Sequence, residues 1–369
     1  MRRSPSLVLG LLVVVLALGI WGCSDTSDTP VAPQNLPEAS LFSAKSIQVQ
    51  SVMAVQDRHT PSLMADPEVI GTATGLTDDG RLAVLVLVTT EKASKGLPAT
   101  LDGVPVKAMK TEPIRAYKKP PPVTEEDPKS RLDRPIKLGC SGGNALDLAN
   151  GYCCSGTLGS LITKSGKFYI LSNSHVLAGD FASSATDPDV AQIGDPINQP
   201  GLIEVGCQNI TADYVANLSS LSTLNTSYNI DAAIAEIMTG QDRTDGYILE
   251  IGTLSATTAT HYIGMPVKKS GRTTGLTRED ISGLNATITV GYEDECAGTA
   301  FTKVFTGQIL INQRASKFLN SGDSGSLMVE DVATNPSAVG LLFAGSSRTA
   351  IANPINDVLS HFGATMVGQ

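Results

Sequence analysis

Residues 321–330 have the sequence Ser-Gly-Asp-Ser-Gly-Ser-Leu-Met-Val-Glu, in which a serine between two glycines leads into a β-type run. Taken alone, this stretch can be a tight turn, because glycine adopts turn conformations without steric cost. Two earlier segments give it a further meaning: residues 172–175, Ser-Asn-Ser-His, and residues 229–232, Asn-Ile-Asp-Ala. We therefore treat the three segments as one candidate constellation.

The three segments supply His175, Asp231 and Ser324. A serine hydroxyl needs an adjacent base, histidine has a pKa that suits the proton transfer, and a buried carboxylate fixes the histidine tautomer. A tight turn at Ser324 would also point the backbone N–H groups of Gly322 and Ser324 at one spot, where they would hold an oxyanion. The residue types predict catalysis by a serine nucleophile.

In the order His, Asp, Ser, the segments resemble those of the trypsin-like (chymotrypsin-fold) serine proteases, bacterial branch. The resemblance covers about residues 138–363. It implies a mostly-β fold, a double β-barrel with a C-terminal helix, and a serine endopeptidase that forms an acyl-enzyme on protein or peptide substrates. It implies no cofactor and no metal.

A fourth segment, residues 268–277, resembles the bacterial stretch whose arginine pairs with the aspartate before the nucleophile. By this resemblance Arg272 would pair with Asp323 and support the oxyanion loop. Ser326 is a departure, since many family members have glycine there.

The resemblance also suggests residues that contact the substrate. Residues 337–345 look like the strand that follows the nucleophile and pairs with the substrate backbone, which predicts contacts from Phe343, Ala344 and Gly345. Phe318 stands at the position that lines the primary pocket in relatives. Because Phe318 is not acidic, a preference for Arg or Lys is disfavoured.

The pattern outside these motifs divides the chain. Short β-type runs separated by Gly, Asn, Asp and Pro dominate residues 138–369 and predict a barrel or sandwich, closed by a helix with Asn353 as its cap, Pro354 at its first position and Gly363 as its end. Residues 45–117 predict a small α+β module: a helix within 45–65, a hairpin around Asp79-Gly80, a short helix and a strand. Residues 118–137 are rich in proline and charge and predict an extended, solvated linker.

The N-terminus predicts export. Residues 1–22 combine a basic start with an uncharged apolar run too short to span a bilayer comfortably, as in a cleaved signal peptide. Cys23 follows a small residue and resembles a lipidated bacterial lipoprotein cysteine, so we expect a lipid anchor in the cell envelope, or secretion if Cys23 is not lipidated. Residues 23–44 would be a tether.

Five cysteines remain beyond Cys23, an odd number that leaves at least one outside any intrachain pair. In an exported protein disulfides are the default, and the spacing does not resemble a zinc site. We expect a local bridge from Cys140 to Cys153 or Cys154, and one from Cys207 to Cys296.

Charge and residue order limit the other functions. The chain of 369 residues has 27 Lys and Arg against 36 Asp and Glu, a net charge of −9 that does not favour nucleic acid as a partner. An esterase of the α/β-hydrolase type would use Ser324, Asp331 or Asp357, and His361, but the chain lacks alternating helices and strands. The remaining alternative is a non-catalytic surface lipoprotein that uses a protease-like fold as a binding module.

Overall fold

The computed structural model describes residues 41–115, 127–148, 152–178, 191–224, 228–241, 243–293, 300–315 and 317–369. The predicted signal peptide, Cys23, most of the tether and residues 116–126 of the linker lie outside these ranges. Within them the fold is mostly β, as predicted. No helix in the described ranges is long and apolar enough to cross a bilayer.

The N-terminal part forms the predicted helices and strands. Its elements are α1 (Ile47–Leu63), β1 (Val69–Leu76), β2 (Leu82–Val88), α2 (Glu91–Gly96), β3 (Thr100–Leu101), β4 (Val104–Lys110) and β5 (Ile114–Arg115). Helix α1 begins where the Ser46 hydroxyl accepts a hydrogen bond from the N–H of Val49, and its valines pack on β2. Gly80 has φ +81° in the β1–β2 turn, a conformation that favours glycine.

An eight-stranded sheet forms the first half of residues 138–369. Its order is β21-β8-β9-β12-β11-β10-β6-β7. The strands are β6 (Cys140–Asn144), β7 (Gly156–Leu158), β8 (Ser160–Lys164), β9 (Lys167–Ser172), β10 (Pro196–Asn198), β11 (Tyr214–Leu221), β12 (Ala233–Ile237) and β21 (Thr365–Met366). The short helix α3 (Ser174–Leu177) follows β9, and β13 (Tyr247–Ile248) pairs separately with β14 (Gly252–Thr253).

The second half contains a closed barrel. Its strands are β15 (Pro266–Lys269), β16 (Thr277–Tyr292), β17 (Phe301–Asn312), β18 (Leu327–Glu330), β19 (Ala338–Gly345) and β20 (Thr349–Pro354). They pair in the order β15-β18-β19-β20-β17-β16, and β16 returns to β15. Strand β1 also pairs antiparallel with β16, so the N-terminal strands extend this sheet.

The C-terminal helix α4 (Ile355–Phe362) has the predicted apolar face, since Ile355, Val358, Leu359 and Phe362 are buried. It ends at Gly363, whose φ of +60° is left-handed. Asn353 is not its cap: Pro354 precedes the helix, and no side chain caps it. The cap prediction is wrong because Asn353 bonds to the backbone of Asp231 instead.

Residues 127–137 are not the solvated linker that their composition predicts. Leu132 and Ile136 are buried in the main apolar core. The guanidinium of Arg131 donates two hydrogen bonds of 2.6 Å to the buried carboxylate of Asp213. This segment therefore packs on the eight-stranded sheet.

The predicted disulfide pairing is wrong. Cys153 bonds to Cys207, 54 residues away. Cys140, on β6, is buried in the main apolar core and is not part of this disulfide. Cys154 is also disulfide-bonded. Sequence proximity favoured a local bridge, whereas the fold places Cys207 beside Cys153.

Candidate active site

Strands β9 and β12 bring the first two candidate residues together. They pair antiparallel, with Ser172 opposite Ala233. His175 follows the end of β9, and Asp231 precedes the start of β12, so both residues lie at the same end of the sheet.

His175 and Asp231 form a close, buried pair. The distance from His175 Nδ1 to Asp231 Oδ2 is 2.6 Å, and both residues are almost fully buried. Because a carboxylate only accepts, Nδ1 of the neutral ring carries the proton and Nε2 is left as the base. Asp231 Oδ1 accepts from the N–H groups of Ser174 (2.7 Å) and His175 (3.3 Å).

Tyr292 is a further partner of Asp231 that sequence reasoning missed. Its hydroxyl donates to Oδ2 at 2.9 Å, and its ring meets the His175 ring edge-on at 5.9 Å. Burial, together with the charge of Asp231, raises the pKa of Tyr292 well above its usual value of 10.0, so the phenol stays a donor. No local motif marks Tyr292, since it lies on β16, 61 residues after Asp231.

Two asparagines hold the Asp231 backbone. The side-chain amide of Asn173 donates to the Asp231 carbonyl at 2.7 Å. Asn353 accepts from the Asp231 N–H at 3.2 Å and donates to its carbonyl at 3.3 Å. The sequence marked Asn353 only as a helix cap, because asparagine is a preferred residue at that position.

Ser324 lies in a loop that comes close to the loop of His175, but its hydroxyl points elsewhere. Ser324 Oγ donates to the Phe343 carbonyl at 3.3 Å, and within the described residues the buried Nε2 of His175 has no hydrogen-bond partner. Gly156 shows how closely the two loops approach: a Cβ there would lie 2.5 Å from the Val176 side chain and 3.0 Å from the Ser324 carbonyl. No hydrogen bond joins this serine to its candidate base in the structure.

The amide of Ser324 is directed by the carbonyl before it. The Asp323 carbonyl accepts from both the N–H (2.9 Å) and the hydroxyl (2.6 Å) of Ser326. In a trans peptide the N–H points opposite to the C=O, so the Ser324 N–H points away from these donors. Ser326, the departure from glycine, thus adds a hydrogen bond that fixes this peptide plane.

The amide of Gly322 is directed in the same way. The Ser321 carbonyl accepts from Thr273 Oγ1 at 2.5 Å, so the Gly322 N–H points to the other side. Gly322 has φ +90°, and a Cβ there would lie 2.5 Å from Arg272 and 2.6 Å from Thr273. Within the described residues neither this N–H nor that of Ser324 has a hydrogen-bond partner, as an oxyanion hole requires.

The predicted pairing of Arg272 with Asp323 is wrong. The cation beside Asp323 is Lys269, whose Nζ lies 3.3 Å from Oδ2, with both side chains fully buried. Asp323 also accepts from the N–H groups of Thr273, Thr274 and Asn320, at 2.8, 3.1 and 2.9 Å. Burial lowers the pKa of Lys269, and the charge of Asp323 offsets part of that shift.

Arg272 pairs with Glu204 instead. Its Nε donates to Glu204 Oε1 at 2.8 Å, and NH2 donates to the same oxygen. Its backbone N–H donates at 3.0 Å to Thr157 Oγ1, which donates at 2.9 Å to the Gly322 carbonyl. Arg272 therefore supports the oxyanion loop from behind, through Thr157, rather than through Asp323.

The predicted substrate-binding residues divide into two groups. The side chains of Phe318 and Phe343 are fully buried in the core, so neither lines an open pocket. The prediction that Phe318 lines the primary pocket is therefore wrong. Phe343, Ala344 and Gly345 instead offer the backbone of β19, and the Phe343 carbonyl already contacts the Ser324 hydroxyl.

Two residues of the esterase alternative make other contacts. His361 packs its ring against Tyr228 at 4.7 Å, and burial lowers its pKa. Asp331 accepts from Arg278 at 3.1 Å. In the described part of the chain no group of three His, Cys, Asp or Glu side chains is placed to hold a metal ion.

The chain matches no protein-family model and no curated protein. It is similar in structure to a serine protease specific for glutamic acid, with 17% sequence identity, a TM-score of 0.41, and coverage of 63% of this chain and 100% of that one. It is also similar to protease A of Thermobifida fusca, with 17% sequence identity, a TM-score of 0.42, and coverage of 63% of this chain and 99% of that one. A third similar structure is the chymotrypsin of Cellulomonas bogoriensis, with 18% sequence identity, a TM-score of 0.38, and coverage of 63% of this chain and 99% of that one.

Proposed function

We propose that this protein is a serine endopeptidase that hydrolyses peptide bonds through His175, Asp231 and Ser324. One observation carries the proposal: a buried His–Asp pair at 2.6 Å lies where the His175 loop comes close to the loop of Ser324, whose amide, with that of Gly322, is left without a partner among the described residues. A histidine held in one tautomer and two preset donors are what acyl transfer requires.

In the proposed reaction Ser324 Oγ attacks the scissile carbonyl carbon while His175 Nε2 takes the hydroxyl proton. The carbonyl oxygen becomes an oxyanion held by the Gly322 and Ser324 amides, and His175 then gives its proton to the leaving amine. Water repeats the two steps on the acyl-enzyme and releases the acid. Asp231 orients His175 and stabilises its protonated form.

The reaction needs one side-chain movement. Ser324 Oγ must leave the Phe343 carbonyl and donate to His175 Nε2, a change of serine rotamer. Hydrogen bonds between catalytic groups are often made only once substrate is bound, so the observed rotamer is compatible with this role.

We also propose that the protein is exported, with residues 1–22 as signal peptide and Cys23 as lipid anchor. The Cys153–Cys207 disulfide supports export, since disulfides persist in oxidising compartments. In this proposal residues 138–369 are the protease domain and residues 45–117 its N-terminal module.

The test is hydrolysis of a fluorogenic peptide library by the purified chain. Ser324→Ala should abolish turnover, and Asp231→Asn should lower kcat by about 10⁴ because His175 then adopts the wrong tautomer. Retained hydrolysis by pure Ser324→Ala protein would contradict the assignment. No hydrolysis by well-folded wild-type protein would favour the binding-module alternative.

A further inference from the structure

A gap between two loops beside Ser324 is where a side chain of the substrate would enter. In the proposed reaction the scissile carbonyl oxygen lies at the amides of Gly322 and Ser324. Strand β19 runs alongside, since the Phe343 carbonyl lies 3.3 Å from Ser324 Oγ. The side chain of the residue that supplies the scissile carbonyl therefore enters between residues 318–321 and residues 344–350, and we call this space the entry gap.

Leu319 reaches across the entry gap. A Cβ added to Gly345 would lie 3.1 Å from Cδ2 of Leu319, on the opposite side, and 3.5 Å from the Cα of Ala350. Leu319 is 1% exposed and Ala350 is fully buried, and both belong to one apolar cluster with Phe318. The leucine side chain thus occupies the inner part of the gap, with apolar groups around it.

Gln313 holds the two sides of the entry gap at a fixed separation. Its Oε1 accepts from the N–H groups of Phe318 (3.0 Å) and Leu319 (2.7 Å). Its Nε2 donates to the carbonyls of Leu319, Ser346 and Thr349, at 3.1, 2.7 and 3.1 Å. Because Gln313 is buried, a long substrate side chain cannot widen the gap without leaving some of these polar groups unpaired.

We propose that Leu319 closes the pocket for the substrate residue that supplies the scissile carbonyl, so that the enzyme cleaves after alanine or glycine. This inference rests on the proposed function and names its substrate class. A leucine or phenylalanine side chain would have to displace buried atoms of a close-packed core. A charged side chain would also have to lose its water among apolar groups, whereas a methyl group or a hydrogen atom makes neither demand.

The test compares N-acetyl amino-acid esters as substrates of the full-length chain. Arg115 pairs with Gly345, so the substrates are kept short enough to end before that part of β19. For the wild type we expect kcat/KM for the alanine ester to exceed that for the leucine, phenylalanine, arginine and glutamate esters by at least about 100-fold.

Leu319→Ala removes the branched end of the side chain but keeps the backbone N–H and carbonyl that bond to Gln313. The value of kcat/KM for the leucine ester should rise at least about tenfold, while that for the alanine ester changes less than about threefold. The arginine and glutamate esters should stay poor, because apolar groups surround the space that opens. Leu319→Val is the milder second variant and should give a smaller rise in the same direction.

Leu284→Ala is the matched control. Leu284 is also 1% exposed in the same apolar cluster, but it lies on β16, where it pairs with Thr74, so the preference should not change. With Ser324 labelled by a fluorophosphonate, three results would each overturn this inference alone: no preference for the alanine ester in the wild type, an unchanged preference in folded Leu319→Ala and Leu319→Val, or an equal gain in Leu284→Ala. Absence of both label and ester hydrolysis would overturn the proposed function and this inference with it.

Discussion

Lys269→Met tests which cation holds the oxyanion loop. The change keeps a long side chain on β15 but removes the charge 3.3 Å from Asp323 Oδ2. Asp323 is then a fully buried carboxylate without its cation, in the residue directly before the nucleophile. We expect the loop to leave the shape that presents the Gly322 and Ser324 amides.

The size of the expected loss in kcat/KM follows from the contacts that Asp323 keeps in Lys269→Met. Removing one partner of a buried ion pair costs about 3–5 kcal/mol. Asp323 keeps the N–H groups of Thr273, Thr274 and Asn320 and the hydroxyl of Thr274, so we expect the lower end, about 3 kcal/mol. Because about 1.4 kcal/mol corresponds to a factor of ten, kcat/KM should fall about 100-fold.

The assay measures kcat/KM for a fluorogenic peptide and the rate of fluorophosphonate labelling, since both depend on the two amides. Lys268→Met is the matched control: Lys268 is also buried on β15, but its Nζ donates at 2.6 Å to the Val332 carbonyl, away from Asp323. Adding Asp323→Asn to Lys269→Met should recover part of the activity. A folded Lys269→Met protein with unchanged kcat/KM, or an equal loss in Lys268→Met, would refute the reasoning.

Three further predictions concern neighbouring contacts. Tyr292→Phe removes the donor at 2.9 Å from Asp231 and should lower kcat about tenfold, because the carboxylate loses a hydrogen bond that stabilises its charge; an unchanged kcat would contradict this. Thr273→Val frees the Ser321 carbonyl and should lower kcat about 10- to 100-fold at similar KM, and an equal loss in the rate of labelling would support the oxyanion role. Cys207→Ser should lower the free energy of unfolding by about 3–4 kcal/mol in a denaturant titration, since a closed loop of this length restricts the unfolded chain, and an unchanged midpoint would count against it.

Local sequence predicted the positions of the chemistry and most of the regular elements. Helix α1 and the β1–β2 hairpin formed within a few residues of their predicted bounds, because caps, turn residues and apolar patterns act over short distances. The loops of His175 and Asp231 meet because each adjoins one of two paired strands. The sequence predicted both strands, one before His175 and one around Asp231, but not their pairing.

Partner choice was not predictable in the same way. Lys269 and Arg272 are three residues apart in one segment, and which of them reaches Asp323 depends on how β15 and the following turn sit against the barrel. The guanidinium of Arg272 instead pairs with the Glu204 carboxylate, which is 68 residues away in sequence. Asn353 and Tyr292 also act through long-range contacts, so nothing near them in sequence marked their proximity to Asp231.

The weakest sequence signals came from the shortest elements. Strand β5 has two residues, and its pairing with β16 and β19 joins parts of the chain more than 170 residues apart. A strand of this length has no alternation to detect, so its pairing became visible only in three dimensions.

The most direct measurement is active-site labelling of the purified chain with a serine-directed fluorophosphonate, followed by mass mapping of the adduct and with Ser324→Ala as control. An activated nucleophile predicts a single adduct on Ser324, lost in Ser324→Ala and strongly slowed in Asp231→Asn. Absence of label on a folded chain, or label on a different serine, would contradict the proposed role of Ser324.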